Sequence, residues 1–274
     1  MKPNQKILAY PYIVWLVIFI IVPLVLVLYF SFSFRDGGLT LENYRRFMTP
    51  IYGKVLYRSL KLAFISTVFC LILGYPMAMI IAGTNISKRN LMVLLFVLPM
   101  WMNFLLRTYA WMTLLGKNGV INNILSFFNL PTLNLLYNNG AVILGMVYNF
   151  IPFMVLPIYS VLAKMDKTLI EAAKDLGANE TTVFRKIIFP LSLPGVITGI
   201  TMVFMPAVST FVIPRLLGGG QFMLIGNLVE QQFTHVYDWN FGSAISIIMM
   251  IFILIAMAVA TKYEDPAEES GGLW

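Results

Sequence analysis

Five stretches of this chain carry no charged residue and are each long enough to cross a bilayer: Ile7 to Phe34, Leu62 to Ser87, Asn118 to Ala163, Ile187 to Pro214 and Trp239 to Thr261. About 20 apolar residues reach across the hydrocarbon core, and no water-soluble domain could hide five such runs. Composition agrees: 59% of the 274 residues are hydrophobic and 11% charged, with a mean hydropathy of +0.82. The chain reads as an all-α polytopic membrane protein, because a helix satisfies its own backbone hydrogen bonds in lipid.

A sixth span is expected from Asn90 onward. Arg107 interrupts it, and the sequence then continues apolar to Leu115. An arginine at that depth either snorkels to the interface or forms a salt bridge. The run after Lys117 is too long for one helix, and its first part, "NGVINNILSFFNLPTLNLLYNNG", is broken by Asn, Gly and Pro. A re-entrant or interfacial segment is expected there, before the next helix. The predicted spans are 8–34, 60–84, 90–115, 141–164, 190–214 and 239–261, in one domain over 1–262 with both ends on the same side. The first run is longer than a signal-peptide core and no small-residue cleavage site follows it, so it is read as a retained helix. The acidic stretch 263–274 lacks apolar periodicity and is read as a disordered tail.

Several chemistries are excluded by counting. Cys70 is the only cysteine and His235 the only histidine, which rules out a disulfide or a Cys/His metal site within the chain. No G-x-x-x-x-G-K-[ST] phosphate loop occurs, and the glycine triplet in "LLGGGQF" (Leu216 to Phe222) lacks the lysine. No acidic residue falls inside a predicted span, which argues against a proton- or sodium-coupled carrier. Nothing pairs a nucleophile with a base, which argues against an enzyme. Lys and Arg divide ten to nine between the two sides, so charge bias does not orient the chain.

The segment 166–190 stands apart, with four basic and four acidic residues between two apolar runs. Asp166 can cap a helix whose apolar residues Leu169, Ala172, Ala173 and Leu176 share one face. Glu171, Lys174 and Asp175 lie on the other side. Gly177 then suits a left-handed terminating position. Asn179 can cap a second helix with Val183, Phe184, Ile187 and Ile188 along one stripe, closed by Pro190. Such an amphipathic elbow either lies flat in the headgroups or docks on protein; a helix held on an anionic leaflet usually shows a basic face, and these charges cancel.

"EAAKDLG", followed after "ANETTVFRK" by "IIFP", resembles the EAA loop of permease subunits of binding-protein-dependent ATP-binding-cassette importers. The resemblance implies six helices of the type I importer permease architecture with a cytoplasmic coupling helix. It assigns coupling to Glu171, Ala172, Ala173, Asp175 and Gly177, and puts both termini in the cytoplasm of an inner-membrane protein. It also implies partners: a second, different permease chain, two ATPase subunits that carry the ATP and Mg, and an extracytoplasmic binding protein. No cofactor on this chain and no nucleic acid are implied.

"LPMWMNFLLRTYAW" (Leu98 to Trp111), "LLGGGQFMLIGN" (Leu216 to Asn227) and "DWNFGSA" (Asp238 to Ala244) look like the spermidine/putrescine branch of that family. Asn240 departs from it where proline is expected, and Met100 where an aromatic is common. The implied cargo is a polyamine; an anion, a metal complex or a vitamin is the alternative cargo for the same architecture. A flexible polycation calls for spaced carboxylates and aromatic faces. Glu230 and Asp238, with Trp239, stand near the outer end. Trp101, Asn103, Tyr109 and Trp111 on the third span and Tyr148 and Asn149 on the fourth are pathway candidates. Aromatics near span ends serve equally as interfacial anchors.

Overall fold

A computed structural model describes residues 3–34 and 37–261. The stretch 263–274 lies outside the described residues. Twelve helical stretches follow one another: α1 over 3–31, α2 (Glu42–Phe47), α3 (Pro50–Gly83), α4 (Ile86–Val97), α5 (Phe104–Leu115), α6 (Val120–Phe127), α7 (Asn139–Lys164), α8 (Lys167–Asp175), α9 over 180–209, α10 (Val212–Leu217), α11 (Ile225–Gln231) and α12 (Trp239–Thr261). An isolated bridge between Ser33 and Leu39 is the only extended pairing among the described residues. Five helices are long and apolar enough to cross a membrane: Tyr10–Ser31, Pro50–Gly83, Asn139–Lys164, Glu180–Ser209 and Trp239–Val259. Ile86–Trp101 and Phe104–Phe127 make a sixth if counted together, although they are bent by 91°.

That bend corrects the straight span expected over 90–115. Pro99 sits in a tight 3₁₀ turn, Leu98–Trp101, where its missing N–H and its ring interrupt the helix. Asn103 then starts α5 as a new helix, its Oδ1 accepting from the Leu105 N–H at 2.8 Å. Arg107 also departs from expectation. It is buried, only 8% exposed, with its Nε lacking a partner, and it joins none of the ion pairs among the described residues.

The fifth span is displaced as well. Pro190 does not close a short helix: the chain stays helical from Glu180 to Ser209. A π turn at Phe184–Ile188 lies directly upstream. One extra residue in that turn makes room for a proline ring that would otherwise strike the carbonyl of the preceding turn. The helix stops at Thr210, which is extended, so residues up to 214 do not continue it as expected; α10 is a separate element.

Packing centres on α7. In its most apolar stretch 61% of the residues are buried inside the protein, against none in α1, so α7 is the core and α1 faces lipid or a partner. On one flank α9 crosses α7 at Gly195 and Gly199, where a Cβ at Gly195 would come within 2.8 Å of the Pro157 carbonyl oxygen. Small residues four apart let two backbones approach in this way. On the other flank α3 is tied to α9 by Tyr75 and Ser192, whose hydroxyls meet at 2.8 Å. The Tyr75 ring also stands edge-on to Phe184 at 5.8 Å.

Candidate functional site

The charged elbow is built by local rules. Met165 breaks α7 with an extended backbone, and Asp166 caps α8 by accepting from the Thr168 N–H at 2.9 Å. Hydrogen bonds from Thr168, its backbone N–H first, hold the Asp166 carboxyl below the usual carboxylate range. At the far end Gly177 has φ +80°. Its N–H donates to the Lys174 carbonyl at 2.9 Å, and that of Ala178 to the Ala173 carbonyl at 3.0 Å. These two bonds make a Schellman stop, which requires the left-handed backbone that glycine adopts freely. Asn179 restarts the helix by accepting from the Thr182 N–H at 2.9 Å. Lys174 and Glu180 meet at 3.0 Å across the corner; both are exposed, so the pair adds little.

The elbow's apolar stripe is uncovered. Leu176 is 89% exposed and Leu169 47%, Ala172 is exposed and Ala173 half-buried beside them. Glu171 and Asp175 are exposed too. The second helix is anchored, because Val183 is buried. Ile170, which the sequence pattern leaves off the stripe, turns inward to line a cavity at the root of the elbow.

At the other end of the spans the two acids are already engaged. Asp238 binds Arg46 at 2.8 Å and accepts from the Phe241 N–H at 3.1 Å, while the Arg46 guanidinium lies 4.0 Å from the centre of the Phe241 ring. Glu230 is paired with Arg215, and both line a cavity of about 210 Å³ with Asn227 and His235. Trp239 is exposed and stands edge-on to Phe30 and Phe233. Arg46 and Arg215 carry no sequence signal as partners of these acids: Arg46 is 192 residues from Asp238, and Arg215 stands in a different helix from Glu230, 15 residues away.

The remaining pathway candidates divide. Trp111 and Tyr148 come together, ring centres 5.3 Å apart. Next to Tyr148, Asn149 is buried, donating to the Gly145 carbonyl at 2.8 Å and leaving its Oδ1 without a partner. Trp101 and Tyr109 are exposed, and Asn103 is spent on the cap described above. A departure from the resembled pattern finds its reason here: Asn240 donates to the Ser33 carbonyl at 2.8 Å and to the Phe30 carbonyl at 3.2 Å, strapping α12 to the end of α1.

With the elbow and spans in place, comparison with known proteins is decisive. Residues 64–267 match the model of the binding-protein-dependent transport system inner membrane component family. The chain belongs to that family. It is 39% identical to the spermidine/putrescine transport system permease protein PotB of Haemophilus influenzae, covering 94% of this chain and 93% of that protein. Identity to PotB of Escherichia coli is also 39%, covering 89% and 92%. Among solved structures, a bacterial importer of the acidic polysaccharide alginate superposes with a TM-score of 0.81 at 16% identity over 96% of each chain. The MetNI methionine transporter gives 0.54 at 18% identity, over 78% of this chain and 97% of that one. At such identities these two report the shared fold alone.

Proposed function

We propose that this chain is the permease subunit of an ATP-driven polyamine importer, supplying half of the translocation pathway. The observation that carries the reading is the 39% identity to a spermidine/putrescine permease along nearly the full length of both chains. On this reading α8 lies in the cytoplasm with both termini, and its bare stripe around Leu176 and Ala172 seats in a cleft of an ATPase subunit that holds ATP and Mg. A second, different permease chain completes the pathway, and an extracytoplasmic binding protein delivers the cargo.

The geometry supports a lever. ATPase closure displaces α8, and the displacement enters α7 through Met165 and α9 through the glycine corner. Because α7 and α9 cross in backbone contact at Gly195 and Gly199, they move as one body. The Tyr75 and Ser192 hydroxyls pass the motion to α3. Rigid-body rocking of this kind interchanges inward-open and outward-open states. Trp111 and Tyr148 offer aromatic faces to an ammonium chain, and the Oδ1 of Asn149, the next residue of α7, is a buried acceptor without a partner.

Uptake of labelled spermidine by the reconstituted importer with its binding protein, with unlabelled putrescine and an unrelated anion as competitors, tests the reading. Competition by putrescine alone is expected. Competition by the anion, or no spermidine uptake, would assign the same architecture to another cargo.

A further inference from the structure

Where the elbow joins the bundle there is a cavity of about 240 Å³. Five elements meet around it: the end of α3 supplies Met79, the start of α4 Arg89, the end of α7 Leu162 and α8 Lys167 and Ile170, while Ile188 comes from the π turn near the start of α9. Apart from Arg89 and Lys167 the lining is uncharged, and no acid faces in. The Arg89 Nε is buried with no hydrogen-bond partner. Neither cation joins an ion pair among the described residues. A buried guanidinium nitrogen left unmatched costs free energy that an anion would recover.

We propose that this cavity binds an anionic phospholipid, with the phosphate held between Arg89 and Lys167 and an acyl chain along Met79, Leu162 and Ile188. Position decides for a lipid over a soluble anion. Gly83 and Lys164 end two membrane-crossing helices at this level, so the cavity stands at the edge of the bilayer, and its greasy walls suit hydrocarbon. Basic pockets between spans at the cytoplasmic boundary are a recurrent way of holding such headgroups. An acidic side chain of the ATPase would satisfy the cations and leave those walls empty. The lipid would fill the joint between lever and spans, so that anionic lipid content sets how firmly α8 is tied to α7 and α9. The site is independent of which solute is carried.

Native mass spectrometry of the assembled importer, titrated with phosphatidylglycerol or phosphatidylcholine, tests this. Wild type is expected to retain phosphatidylglycerol with about tenfold preference, the effect of one charge-assisted phosphate contact. Arg89→Gln with Lys167→Gln should abolish the preference, and Lys186→Gln, a cation outside the cavity, should keep it. Should the double variant fail to assemble, Ala82→Leu, at a further residue of the lining on α3, fills the cavity without touching charge and should also abolish it. Three results would overturn the proposal: no preference in wild type, an unchanged preference in the cavity variants, or displacement of the lipid by millimolar inorganic phosphate. Preference seen only after the ATPase is stripped away would give the cations to that subunit and overturn it as well. Because the readout is lipid retention, its outcome is separate from whether polyamines are transported.

Discussion

Single residues at the elbow carry the sharpest consequences. Gly177 sits at φ +80° with nothing within 4 Å of a Cβ, so substitution strains the backbone without a clash. Gly177→Val costs about 1–3 kcal/mol there. The importer should still assemble, while spermidine uptake falls about tenfold or more, a factor that 1.4 kcal/mol already supplies. Asp166 adds a pH dependence with a definite sign. Its pKa is lowered in the folded protein by the Thr168 hydrogen bonds, so its contribution is complete above an unfolded value of about 3.9 and is lost as pH falls through the lower, folded value. Asp166→Asn keeps an acceptor and removes the charge; the protection of the Thr168 amide, measured against its intrinsic exchange rate, should then no longer fall as pH drops through the Asp166 titration. Asn240, with three acceptor atoms around its Nδ2, is a strap between α1 and α12. Asn240→Ala should destabilise the protein by about 1–3 kcal/mol, read as a lower melting temperature.

At the scale of elements, the α7/α9 crossing limits what the bundle tolerates. A Cβ at Gly195 meets the Pro157 carbonyl at 2.8 Å and the Ile158 Cα at 3.1 Å, both backbone and unable to yield. Gly195→Val should cost about 1–3 kcal/mol or more and reduce the yield of assembled complex. Gly53→Ala, in open space on α3, should be neutral or stabilising in the same assay. The contrast between the three elbow caps and the third span shows what a sequence discloses. Asp166, Gly177 and Asn179 act on backbone groups two to five residues away, so their roles are legible in a short window. The 91° bend is set by Pro99 and Asn103 inside an apolar run, where either residue is also compatible with a straight membrane helix. The continuation of α9 through Pro190 depends on a π turn, which no residue type marks. Arg46 and Arg215 could not be matched to Asp238 and Glu230 in advance, because those pairs are made by tertiary approach.

For the whole molecule, the spans supply the bundle and the elbow supplies a strongly charged helix pair whose apolar stripe, Leu169 and Leu176, is uncovered. Cys70 is buried, so a cysteine introduced at Ala172, which is exposed, is the one thiol a water-soluble reagent can reach. Labelling of Ala172→Cys by a membrane-impermeant maleimide, in sealed right-side-out and inverted vesicles with and without the ATPase subunits, tests the lever most directly. The account predicts reaction only in inverted vesicles and strong protection once the ATPase is bound. Reaction in right-side-out vesicles, or equal reaction with the ATPase in place, would contradict it.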